Sequence, residues 1–133
     1  MYEKPFIAQL NLSTTTATEI YRVPVDSTTT FSSGTSQAQA KFINSSISSI
    51  VICETAGGAA TATIYIQPIV DATTVVASEK LVSALALSAN ETKIISPGLI
   101  LPGDPNTATP AGIVVQANSG TLTFQVFGIE IGG

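Results

Sequence analysis

Residues 112–133 read GIVVQANSGTLTFQVFGIEIGG, and the way this stretch pairs decides the fold. Two apolar runs flank Asn118, Ser119 and Gly120. These residue types favour turns, because Gly and Asn tolerate positive φ and Ser bonds nearby backbone. The stretch reads as a β-hairpin. Its second strand is expected to be a central one, paired on both sides, with Phe124, Val126 and Phe127 closing the core.

The same alternation appears upstream. FIAQLNL at 6–12 places Phe6, Ala8, Leu10 and Leu12 on one face, with Gln9 and Asn11 opposite. That period of two predicts a strand. In EIYRVPV at 19–25, Tyr21, Val23 and Val25 share a face. Pro24 cannot donate to a ladder, so an edge strand or a bulge is expected. KFINSSISSIVICET at 41–55 reads as two strands, or as one with a bulge near residues 44–46. Its IVIC segment is apolar on both faces, as a strand buried on both sides would be. AGG at 56–58 is a turn, and ATATIYIQPIV at 59–69 follows it as the partner of a second hairpin. There Ala60, Ala62, Ile64 and Ile66 face one way, and Thr61, Thr63, Tyr65 and Gln67 the other.

Residues 75–89 fit both helical spacing (Leu81, Leu85) and period two (Leu81, Ser83, Leu85, Leu87). Ala and Leu favour helix, but the surrounding strands favour strand, which is the reading taken. A turn at Asn90 and Glu91 leads into TKIIS at 92–96, and two Pro-Gly pairs punctuate PGLILPGDPN at 97–106. The polar stretch 26–40 has no period and reads as a projecting loop. About eight to ten short strands with regular turn signals predict an all-β, single-domain antiparallel β-sandwich, jelly-roll-like in form.

Composition bounds the function. The 133 residues make one domain with room for a core. Charged residues are 11% and the net charge is -4, against about 25% charged in ordinary domains. Mean hydropathy is +0.41, yet no apolar run approaches the ~20 residues of a membrane helix. Polarity comes from 32 Ser and Thr residues. Such a weakly charged β surface is expected to be covered by partner copies or a larger assembly. Residues 1–10 carry Glu3 and lack an apolar segment, so a secretory signal is not expected. Asn11, Asn44 and Asn90 head N-x-S/T triplets that then read as chance products of a Ser/Thr-rich chain.

The basic residues Lys4, Arg22, Lys41, Lys80 and Lys93 are scattered, so nucleic-acid binding is not expected. Cys53 is the one cysteine and histidine is absent. Cys53 therefore lacks a histidine base and reads as a small buried residue. The carboxylates Glu3, Glu19, Asp26, Glu54, Asp71, Glu79, Glu91, Asp104 and Glu130 are spread evenly and read as solvated turn and strand-end groups. Asp104 and Asn106 in GDPN offer only two side chains to Ca²⁺, so a plain turn is favoured. Gly57 and Gly58 form a turn and not a phosphate cradle. No catalytic, metal or cofactor site is expected. Tyr2, Tyr21 and Tyr65 are the residues a carbohydrate-binding module would present, although Trp is absent.

Three turn patterns carry a resemblance. They are A-N-E-T at 89–92, L-I-L-P-G-D at 99–104 and G-I-E-I at 128–131. With EIYRVPV and SSIVICETAGGAATATIYI upstream, residues 15–131 resemble small β-sandwich virion structural proteins of tailed bacteriophages. The loop 26–40 and the linker 104–111 depart from the compact pattern. The resemblance implies a virion protein assembled in the host cytoplasm. Its leading form is a capsid decoration (cement) protein, present as a homo-oligomer such as a trimer and bound to the major capsid protein or other virion proteins. A tail, neck or fibre component is the alternative, with a carbohydrate-binding module behind it and an enzyme last. Residues 1–14 are expected to form an N-terminal arm and first strand, and 15–133 the sandwich. Tyr2, Pro5, Phe6, Phe31 and Phe42 are the candidate assembly contacts. Residues 1–6 are expected to add as a strand to a neighbour, and loop 26–40 to touch the shell.

Overall fold

A computed structural model describes residues 2–26, 41–103 and 110–132. Among the described residues ten strands follow one another: β1 (Tyr2–Leu12), β2 (Thr18–Arg22), β3 (Val25–Asp26), β4 (Lys41–Glu54), β5 (Ala60–Gln67), β6 (Lys80–Leu87), β7 (Thr92–Ile95), β8 (Leu99–Leu101), β9 (Gly112–Ser119) and β10 (Leu122–Gly132). Among the described residues there is no α-helix, only a 3₁₀ turn at Ala77–Glu79. Two antiparallel sheets pack as a β-sandwich. The larger sheet runs β1-β10-β4, with β3, β7 and β8 along the far side of β4. The smaller runs β2-β9-β5-β6.

β10 is central, as expected, and its neighbours are β1 and β4. Its alternation buries Phe124 and Val126 against Ile50, Ile52, Ile64, Ile113 and Val115. Burying each such side chain contributes about 1.5–3 kcal/mol. Phe127 falls on the other phase and faces outward, half-buried, so it does not close the core.

The two hairpins expected from the turn residues are not hairpins. β9 pairs with β2 and β5, whereas β10 pairs with β1 and β4. The turn at 118–121 therefore carries the chain between sheets. Gly120 makes it possible, with φ of +76° and a position where an added Cβ would lie 2.7 Å from the Ala60 Cβ. The AGG turn likewise joins β4 of one sheet to β5 of the other. The physical reason is burial. Both strands at each turn carry an apolar face, and opposing them across the core buries both.

Other expectations are refined. Residues 41–54 form one strand, and its bulge lies at Ser48, not at 44–46: Ile47 opposes Gly128 and Ser49 opposes Phe127. Ser48 Oγ donates to the Phe127 carbonyl at 3.0 Å. The IVIC segment is buried on one side only: Ile50 and Ile52 point into the core, Val51 and the half-buried Cys53 outward. β6 is a strand, as favoured, and its bulge leaves Ala84 at φ 50° with its N–H on Thr63 Oγ1 at 3.1 Å. β2 is an edge strand, and Pro24 stands where the chain leaves it for β3 in the other sheet. The expected arm at 1–6 is taken up in β1 from Tyr2 on, paired continuously from Tyr2↔Gly132 to Leu12↔Leu122. Residues 2–12 thus belong to the same sheet as the C-terminal strand. The loop 26–40 beyond Asp26, and positions 104–109 of the linker, lie outside the described residues.

Two carboxylates expected in solvent are buried. Glu54 ends β4, and its oxygens accept N–H groups from Ala56 at 2.9 Å, Gly57 at 2.8 Å and Asn90 at 2.9 Å. These donors, Asn90 first, hold its pKa below the ordinary 4.5. The carboxylate clasps two crossings between the sheets, the turn after β4 and the turn before β7. Glu130 accepts from Tyr21 OH at 2.7 Å, and Ser45 Oγ lies 2.6 Å from the same phenol oxygen.

Candidate assembly face

Directly opposed residues of antiparallel strands share a face, so the register defines the outer surface of the larger sheet. One row runs Pro5, Ile129, Ser46, Ile100 across four strands. The next runs Ile7, Phe127, Ser49, and the next Gln9, Gln125, Val51, Ile94. Glu3, Ile131 and Asn44 close one end. Asn11, Thr123, Cys53 and Thr92 close the other.

The middle of this surface is apolar and in water. Ile7 is 63% exposed, Ile94 67%, Ile100 65%, Ile129 41% and Ile131 38%. Among the described side chains of these rows, Glu3 carries the only charge. Polar groups gather at the Asn11 end and bond one another. Asn11 Nδ2 donates to Thr123 Oγ1 at 2.8 Å, and Gln125 Nε2 to Gln9 Oε1 at 3.2 Å.

The outer surface of the smaller sheet is built differently. Its β5 side chains are Thr61, Thr63, Tyr65 and Gln67, the set expected to share one face. Thr63 Oγ1 donates to Asn118 Oδ1 at 2.6 Å and Tyr65 OH to Gln116 Oε1 at 3.0 Å. Thr61 Oγ1 and Ser119 Oγ lie 3.1 Å apart. Gln67 is buried and organises the next loop: Nε2 donates to the Asp71 carbonyl at 3.0 Å and to Glu79 Oε1 at 3.0 Å, while Oε1 accepts the Asp71 N–H at 2.7 Å. This face satisfies its own polar groups.

Of the candidate contacts, Pro5 lies exposed on the apolar face opposite Ile129. Phe6 lies on the inner face instead, stacked on Tyr21 with ring centroids 4.2 Å apart and planes 4° apart. Gly128 sits under that ring, where an added Cβ would come within 2.8 Å of Phe6 and 2.4 Å of the Ser46 carbonyl oxygen. Tyr2 opposes Gly132 and Phe42 opposes Val25. Phe31 lies outside the described residues. The five exposed isoleucines were not among the candidate contacts, although the exposure of two of them had a signal in the sequence. Ile129 and Ile131 share the phase of Thr123 and Gln125, opposite to Phe124 and Val126.

Chemistry finds little to build on. The two buried carboxylates lie eight register positions apart along β10, about 27 Å. A two-carboxylate mechanism needs about 5–10 Å. Among the described residues, no three of His, Cys, Asp and Glu gather to hold a metal, and no helix is long and apolar enough to cross a membrane. The Asp104 and Asn106 turn lies outside the described residues. Tyr21 is 9% and Tyr65 5% exposed, so neither offers a ring to a sugar. No protein-family model matches the chain, and no curated protein matches it.

Proposed function

We propose that the chain is a non-enzymatic structural subunit of a bacteriophage virion, a capsid decoration protein bound to the shell as part of a symmetric set. The observation that carries this reading is the apolar outer face of the larger sheet. The largest apolar patch on a protein surface is often an interaction site. Two further features support it. The strands pair in nested order, β1 with β10, β2 with β9, β4 with β7 and β8, and β5 with β6. Nested pairing of this kind supports the jelly-roll-like reading, an architecture used by viral capsid domains. The turn patterns at 89–92, 99–104 and 128–131 resemble those of phage virion proteins.

The mechanism is mechanical. Burying the isoleucine rows on assembly removes apolar area from water, and the rigid sandwich transmits the contact across the lattice. Quantitative mass spectrometry of purified particles tests it. Copy numbers equal to, or one-third of, the major capsid protein are expected. A dozen copies or fewer would place the chain in the neck or tail, and absence from particles would overturn the reading.

A further inference from the structure

We infer that a second copy of this chain covers the outer face of the larger sheet, the two faces packing together about a two-fold axis. The inference rests on the reading of that face as an assembly surface and names its occupant. Three observations carry it.

Charge comes first. The chain has a net charge of -4, so most ways of bringing two copies together oppose carboxylates. In an isologous contact each patch meets itself, and like charges there cost several kcal/mol. The isoleucine face escapes this, because Glu3 at its rim is the only charge among the described side chains of its rows. A partner of different chemistry would gain steering and register from complementary charges, and among the described side chains of this face only Glu3 offers one.

Area comes second. The five exposed isoleucines leave on the order of 500 Å² in water, near the top of the ~300–600 Å² for the largest patch on a typical monomer. Pro5, Phe127 and Val51 extend it toward the ~800 Å² per partner of a standard interface. Shape comes third. Twisted sheets pack face to face about 10 Å apart with side chains interdigitated. The inner face of this sheet already packs so, and an identical copy brings a surface of matching twist.

Sedimentation velocity of the purified full chain from about 1 to 100 μM tests the inference, with Ile7→Glu, Ile129→Glu and Ile69→Glu as variants. Ile7 and Ile129 lie on the face, whereas Ile69, 58% exposed, follows β5. The parent chain is expected to sediment as a dimer. Ile7→Glu and Ile129→Glu are expected to weaken it at least about 100-fold, because each dimer then buries two like charges. Ile69→Glu is expected to leave it intact. Circular dichroism checks that each variant folds, and Ile94→Glu, at a 67% exposed position on the face, replaces either face variant that does not. A monomer throughout, a dimer indifferent to the face variants, one lost equally in Ile69→Glu, or a closed trimer would overturn the inference. Particle occupancy is a separate readout. A dimer absent from particles sinks the virion reading alone, and a monomer that decorates them sinks the dimer alone.

Discussion

The two outer surfaces of this sandwich come from strands of similar period and opposite solution. On the smaller sheet, β5 presents Thr61, Thr63, Tyr65 and Gln67, and neighbouring Asn118, Gln116 and Asp71 absorb them. On the larger sheet, β1 and β10 present Ile7, Ile129 and Ile131 to water. A polar ladder bonded within one chain gives nothing to a neighbour. An apolar row with nothing above it gains only when covered. The difference teaches which surface the chain completes by itself and which it leaves apolar in water.

Phe124 and Phe127, three residues apart on β10, test that contrast most severely. Phe124 is fully buried and Phe127 lies on the outer face. Phe124→Ala is expected to cost about 3–5 kcal/mol in urea unfolding. Phe127→Ala is expected to cost under about 1 kcal/mol in the isolated chain, as surface changes do. Equal losses would mean that the outer face is already core.

Gln67→Ala probes the self-satisfied surface. It strips partners from the Asp71 N–H and from the Asp71 and Thr74 carbonyls. The expected loss is about 2–3 kcal/mol by chemical denaturation, as for buried groups left unpaired. A loss under about 0.5 kcal/mol would show that water replaces the side chain freely.

A smaller, pH-dependent loss is expected from Glu54→Gln at the joint between the sheets. The folded pKa of Glu54 lies below the ordinary 4.5, so between the two values the unfolded chain binds more protons. Stability from this group is complete above about pH 5 and drains away as pH falls through the folded value. The melting temperatures of parent and variant should differ at pH 7 and converge as the solution is acidified below about pH 4.5. A gap independent of pH would assign the clasp to packing instead of charge.

The smallest effect is expected on the bare face. Ile94→Thr with Ile100→Thr should change monomer stability by no more than about 0.5 kcal/mol while raising solubility in ammonium sulfate titration. A large loss would mean that these side chains support the fold.

Much of this was legible. Period two placed Phe6, Ala8, Leu10 and Leu12 inward, and sorted β5 into its two faces. Strand neighbours were not legible. Asn-Ser-Gly at 118–120 and Ala-Gly-Gly at 56–58 reverse the chain equally well within a sheet or between sheets. Local sequence says which residues share a face, not which strand lies beside them. The buried acids were legible in principle. Glu130 follows the phase of Leu122, Phe124 and Val126, and Glu54 that of Ile50 and Ile52. Residue type, which assigns carboxylates to solvent, outweighed phase. Composition pointed to apolar surface somewhere on the chain, but its position waited for the register.

The pairing of β1 with β10 bears on how the chain comes to be folded. Ala8 lies beside Val126, so the larger sheet cannot close until synthesis has passed β10. β10 also separates β1 from β4, which therefore have no shared ladder to hold while they wait. Contacts so distant in sequence place folding in the slow range of about milliseconds to seconds. During synthesis Ile47, Ile50 and Ile52 of β4 and Phe6 and Leu10 of β1 stand open until β10 slots between them. That interval, more than the finished molecule, is when this chain is most exposed to aggregation.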